Sequence, residues 1–313
     1  MSLSAPNSSP ESATDYATVT RFLDAGRSWS AYSSRGHPNA LTCDVEDYFQ
    51  VSAFEHLISR ESWASFECRI SRNVEKILEA YDEAEAKGTF FILSWVAENY
   101  PHIVKKIAAH GHEVSSHGRC HARVFNMSER EFRIEASESR KLLQDTSGQP
   151  VIGYRAASWS FDRRTPWAHS ILAECGYTYS SSIYPVAHDH YGVPDAPTTP
   201  FYLRAGGILE IPASTARIFG RNWPAAGGGY FRLLPYGVSR WLFAKSRKEI
   251  GVPSVFYFHP WELDPQQPRI HGISVKTRFR HYVNLSKFEN RLARILRDFS
   301  WERMDKIYFG EAP

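Results

Sequence analysis

A few polar side chains fall where parallel strands would deliver them to one face: Asp44, Glu46 and Asp47 in CDVED, His117 in SSHGRCH, Arg155 in GYRAASW and His259 in FYFH. Any one of them alone has an ordinary use. A strand-end Asp is usually a cap and a single His is usually filler. Together they suggest chemistry. His117 and His121, four residues apart, could both meet one ion if the chain turns after the strand, with a carboxylate from CDVED as third ligand. Two imidazoles and one carboxylate leave positions open, the composition of a catalytic metal centre as opposed to a closed structural one. Such an ion lowers the pKa of bound water to about 7 and supplies the nucleophile that amide hydrolysis lacks in bulk water. Alternation in a strand puts Asp44 and Glu46 on one face and Asp47 on the other, which favours Glu46 as the ligand; a bulge would bring in Asp47. His110 and His112 precede their strand, belong at its opposite end and read as structural.

The elements that must position these groups alternate. ALTCDVED, GTFFIL, HEVSSH, VIGYRAASW, Tyr177 to Ser181 and VPSVFYFH read as strands. Helices are expected from Asn73 to Ala86, around Ala97 to Ala109, from Ser128 to Gln144, from Arg163 to Cys175 and, closing the chain, from Leu285 to Phe299. MSEREF carries the Ser-to-Glu spacing of a capping box at Ser128 and Glu131. The order implies βαβ units and a parallel sheet, whose carboxyl strand ends would gather the polar set. Residues 1–38, rich in Ser, Ala, Pro and Asn, read as a flexible arm before a single domain over 39–313. Within it, 184–236 reads as a groove-rim insertion and 265–313 as a C-terminal extension.

Composition mainly excludes. A chain of 313 residues, 42% hydrophobic, can bury a full core. Its net charge of +3 comes from interleaved signs, so no nucleic-acid footprint is visible. The four cysteines, Cys43, Cys68, Cys120 and Cys175, form no CxxC pair and read as free thiols. Neither a signal peptide nor a transmembrane segment is recognisable, which leads to the expectation of a cytoplasmic protein, with a peripheral place at the inner membrane as the further option. The oligomeric state is not legible.

The series CDVEDYF, GTFFIL, GHEVSSHGRCH, GYRAASW and FYFHPWE resembles the ordered motifs of NodB-homology polysaccharide deacetylases, carbohydrate esterase family four, from about Leu41 to Asp264. DVEDYFQVSAFE, GGGYFRLLPY and HPWELDP resemble the subgroup associated with exosortase and exopolysaccharide loci. The resemblance implies a distorted (β/α) barrel of seven strands. It implies Asp44 as catalytic base, His117 and His121 as metal ligands, Arg155 as the arginine that orients the base, and His259 as general acid on the departing amine. Two departures stand out: Val45 where the family's metal-binding Asp follows the base, so that Glu46 and Asp47 both stay open, and Gly118 where many members have Ser or Thr. Glu210, ahead of Asp264, is the expected carboxylate partner of His259. Tyr154, Trp159 and Trp261 are candidate sugar-binding walls.

The resemblance further implies a divalent cofactor, zinc first, with cobalt, iron, nickel and manganese as alternatives. The substrate would be an N-acetylated amino-sugar polymer or oligomer, met during exopolysaccharide synthesis. A small-molecule cyclic amide or formamide hydrolase of the same fold, and a non-catalytic carbohydrate-binding module, are the competing expectations.

Overall fold

The computed structural model describes residues 20–21, 37–189, 191–202 and 207–310. The expected arm, 1–38, therefore lies outside the described residues except for 20–21 and its last two positions. Two of those depart from expectation: Thr20–Arg21 form strand β1.

Along the chain follow β2 (Asn39–Val45), α1 (Ile70–Glu83), β3 (Thr89–Ile92), α2 (Ser94–Asn99), α3 (Pro101–Ala109), β4 (Glu113–Ser116), α4 (Glu129–Ser147), β5 (Gly153–Tyr154), α5 (Ala168–Glu174), β6 (Tyr179–Ser180), β7 (Phe201–Tyr202), β8 (Leu209–Glu210), β9 (Thr215–Ile218), β10 (Arg221–Pro224), α6 (Gly228–Leu233), α7 (Tyr236–Ile250), β11 (Val255–Phe258), α8 (Val275–Tyr282), α9 (Leu285–Asp298), β12 (Trp301–Glu302) and α10 (Met304–Phe309). The central sheet runs β1-β7-β8-β6-β5-β4-β3-β2-β11, with β12 also on β2. From β11 to β8 every pairing along that path is parallel, while β7 and β1 add antiparallel strands at the far edge. Where seven strands are expected, the central sheet has ten among the described residues, with β9 and β10 forming a separate pair, because short pieces such as β1, β7 and β12 carry too little pattern to be read. β11 and β1, at the two ends of the path, do not pair with each other among the described residues, so the curled sheet is a half-barrel that does not close.

Alternation divides the sheet into two chemistries. Leu41, Cys43 and Val45 of β2 join the large cluster of helix-facing residues, with Val74, Ile77, Ile103, Val104 and Phe132. Ala40, one step out of phase, faces the concave side with Phe91, Tyr179, Leu209 and Val255, and there Met304, Ile307 and Tyr308 of α10 plug the lower end. Strand β12 and helix α10 lie beyond the helix expected to close the chain. Each is too short to show a period, and burial against the sheet holds them in place. Gly153 belongs to the same concave layer: a Cβ there would stand 2.2 Å from the Tyr179 ring and 2.6 Å from Ser115 Oγ. Ser128 caps α4 in a full capping box with Glu131. Tyr100 and Pro101 break one expected helix into α2 and α3. Helix α7 was not foreseen.

Candidate active site

Continuing up the concave face in steps of two, β2 presents Thr42, then Asp44, then Glu46 just past its end. Arg155, wholly buried, ties this column to the neighbouring strands. Its Nη1 donates to Asp44 Oδ1 at 2.6 Å and to Thr42 Oγ1 at 2.8 Å, while Nε and Nη2 donate to Ser181 O and Oγ. The guanidinium lies over the Phe91 and Trp159 rings, so its position is fixed by packing as well as by charge.

His117 extends β4, and its Nδ1 donates to Arg155 O at 2.8 Å, which turns Nε2 toward the open end of the barrel. Burial holds its pKa down near 4, so the ring is neutral and its free nitrogen can bind a cation. The chain then reverses through Gly118 (φ +75°) and His121 (φ +50°). A Cβ at Gly118 would meet Glu135 Oε1 at 2.7 Å, so glycine suits this position for both conformation and space. His121 Nε2 lies 2.8 Å from Glu46 Oε2, and its Nδ1 contacts Ser52 Oγ at 3.2 Å, itself bonded to Ser158 Oγ. Ligand atoms of Glu46, His117 and His121 all lie within 4.8 Å of one another. Burial works against the charge of Glu46, but His121, by charge and hydrogen bond, and His259 outweigh it and hold the carboxyl well below its usual range. Two imidazoles, each engaged through its other nitrogen, and an ionised carboxylate form a donor set that fits a divalent ion.

Asp47 stands outside this cluster. It turns away and caps α1 from a distance, Oδ2 accepting from Arg69 N at 2.6 Å and Oδ1 from Tyr48 N at 2.8 Å. Burial pushes its pKa up to about 6.

His259 follows β11, and its Nδ1 donates to Glu262 Oε1 at 2.8 Å. Glu262 Oε2 in turn accepts from Arg232 Nε at 2.5 Å, so a buried guanidinium backs the pair. Burial opposes the imidazolium, yet Glu262, Glu46 and Asp44 prevail and raise its pKa to about 9. The expected partners are elsewhere. Glu210 is held by His169 Nε2 at 2.9 Å and by the amides of Ser182 and Ile183. Asp264 is paired with Arg72 and Arg69. The signal in the sequence is HPWE, in which Pro260 starts a 3-10 turn and Glu262 returns to His259 as a capping box.

Trp261 Nε1 donates to Glu46 Oε1 at 3.1 Å, and its ring stacks between His259 and His281. Trp159 packs on Tyr184 and Tyr257 beside Arg155. Tyr154 lies away from the cavity, in the helix-side core among Phe132, Phe161 and Tyr177, because it alternates with Arg155. Asp44, Glu46, His117, His121, His259, Trp159 and Trp261 line one cavity of about 240 Å³, together with Ser52, Ser158, Tyr191, Gly229 and Tyr257, which the sequence did not single out. Arg155 stands directly behind Asp44.

The polysaccharide deacetylase family model matches residues 59–180, which carry His117, His121 and Arg155, and a domain of unknown function matches 181–309, which carry His259 and Glu262. A peptidoglycan deacetylase of Helicobacter pylori is 26% identical over 133 residues, 42% of this chain and 41% of the relative. A peptidoglycan-N-acetylglucosamine deacetylase of Bacillus cereus is 34% identical over 73 residues, 23% and 26% of the two chains. The chain thus spans less than half the length of these curated relatives. A solved candidate polysaccharide deacetylase from Mycobacterium smegmatis shares the fold at a TM-score of 0.56 and 19% identity, over 87% of this chain and 90% of that one. Residues 59–180 are thus similar to polysaccharide deacetylases, and the chain as a whole has the fold of the solved mycobacterial candidate.

Proposed function

We propose that the chain is a metal-dependent hydrolase that removes N-acetyl groups from an amino-sugar polysaccharide. The observation that carries this reading is the joint placement of a Glu46–His117–His121 cluster, an Arg155-held carboxylate and a Glu262-held imidazole around one cavity. A divalent cation held by that cluster, with zinc the first choice for an N,N,O donor set, would polarise the acetyl carbonyl and lower the pKa of water. Asp44, aimed by Arg155, takes a proton from the attacking water. His259, charged through Glu262, gives a proton to the nitrogen as the C–N bond breaks, and acetate and a free amine leave. Without that proton the leaving group would be an amide anion.

A polymer suits the cavity better than a small cyclic amide. It shares Val51, Ala53, Tyr191, Gly229 and Trp261 with an adjoining cavity of about 320 Å³, and Val51, Ser52 and His121 with another of about 380 Å³. Such adjoining space suits the neighbouring sugars of a polymer. The three strings that resemble the exopolysaccharide-associated subgroup also meet here: Ser52 and Ala53, Gly229, and Trp261 each come from one of them. That supports a role in exopolysaccharide synthesis. Acetate release from N-acetylglucosamine oligomers tests the reading: it should vanish with a chelator and return with zinc. Full activity in the chelator, or hydrolysis of cyclic amides alone, would overturn it.

A further inference from the structure

The hairpin β9–β10 ends in a turn that is unfavourable twice over. Ile218 pairs with Arg221, so Phe219 and Gly220 are the two turn residues, and both have positive φ, +48° and +75°. A two-residue turn of this kind prefers Asn-Gly, because an L residue with a bulky side chain is strained in the left-handed region. Here the first place is held by a phenylalanine that is 99% exposed. Neither local conformation nor packing among the described residues accounts for it.

Its surroundings show what would. Arg217 and Arg221 flank the tip and are exposed, and Trp223 on the second strand is also exposed. Behind the hairpin, Leu242 of α7 packs on Ala216 and Ala225, which fixes the helix beside it. That helix turns a stripe outward at spacings of three and four: Val238, Trp241, Lys245 and Lys248. The acid on this face, Glu249, is already engaged by Lys245 and by the Arg217 amide. The surface therefore combines a projecting ring, two exposed tryptophans and an excess of positive charge, since Glu249 balances only one of Arg217, Arg221, Lys245 and Lys248.

We propose that the β9–β10 tip and the outward stripe of α7 form a docking surface for an anionic lipid membrane, with Phe219 inserted among the acyl chains and Arg217 and Arg221 at the headgroups. A single ring on a narrow two-residue tip suits a soft apolar layer. Tryptophans beside arginines and lysines are the composition found at membrane interfaces. The hairpin is also tied to the catalytic rim, since Asn222 Nδ2 donates to Pro185 O a few residues before Tyr191. Docking would bring a lipid-held glycan to that rim.

Sedimentation of the full chain with phosphatidylcholine vesicles, with and without phosphatidylglycerol, decides the matter. Binding is expected on the anionic vesicles, weakened by salt, and reduced about fivefold for each of Arg217→Gln and Arg221→Gln. Phe219→Asn should cut binding roughly tenfold or more, while leaving the melting temperature unchanged or raised because asparagine fits the turn. Absence of vesicle binding, equal binding to neutral vesicles, or full binding by Phe219→Asn would overturn the proposal, as it would if the face serves a protein partner. Acetate release from soluble oligomers should be unaffected by all three variants.

Discussion

Arg155 and Asp44 should behave as one unit in both stability and catalysis. The guanidinium and the carboxylate are both essentially buried and 2.6 Å apart. Arg155→Gln would leave Asp44 in the interior without its counter-ion, and breaking a buried pair from one side costs about 3–5 kcal/mol. Asp44→Asn should cost less, because Arg155 keeps Thr42 Oγ1, Ser181 O and Ser181 Oγ as acceptors and remains packed against Phe91 and Trp159. In the double variant the stranded charge is gone, so its destabilisation should fall short of the sum of the two singles by about 2–3 kcal/mol. Catalysis should be non-additive in the same way. Loss of the base removes roughly 10²–10⁴-fold of rate, and once Asp44 is Asn the further loss of Arg155 has nothing left to aim. Urea unfolding and acetate release on the four proteins, with metal content measured in each, provide the cycle. Independent effects, with destabilisations that add and rate losses that multiply, would refute the reasoning. So would Asp44→Asn retaining full activity.

The two carboxylates that the sequence left open make a paired test. Glu46→Gln should lose stoichiometric metal, whereas Asp47→Ala should keep it and lose about 1 kcal/mol of stability as a helix cap, measured by metal analysis and unfolding; the opposite pattern would exchange their roles. His112 gives a pH dependence away from the site. Burial, with Lys87 nearby, pushes its pKa down to about 3, and its Nδ1 accepts from Gly88 N. Below the unfolded value of about 6.5 the unfolded chain takes a proton that the native ring refuses, so stability is complete above that pH and is lost toward pH 3 at about 1.4 kcal/mol per unit. His112→Gln should flatten the fall in unfolding midpoint between pH 7 and pH 5, and an unchanged slope would show that other groups cause it.

Much of the scaffold is legible because it rests on long periodic segments. The strands around CDVED, GTFFIL, HEVSSH and VFYF, and the helices that cover them, occur where period and caps place them. The concave plug of β12 and α10 was not legible, because six-residue and shorter elements are decided by what they bury. At the site the logic of alternation correctly set Asp44 and Glu46 together and Asp47 apart. The same logic, applied to β5, would have sent Tyr154 into the core opposite Arg155. The partner of His259 is hidden for a different reason: residue type alone does not show that a local capping turn brings Glu262 back to it from three residues later.

Backbone strain adds an independent line. Six non-glycine residues have positive φ among the described residues: Glu85, His121, Ser158, Trp159, Phe219 and Asn284. Asn284 is an N-cap and Glu85 lies in the turn after α1, ordinary places for such a conformation. Three of the other four line the catalytic cavity, and they are connected: Ser158 Oγ holds Ser52 Oγ, which meets His121 Nδ1, while Trp159 lies over Arg155. Strain of roughly 1–3 kcal/mol per residue persists only where the surroundings enforce it, and it gathers at sites that act on something else. The fourth is Phe219. By the rule that accounts for the cavity, the hairpin tip is a second place where this chain gives up stability for contact with another molecule.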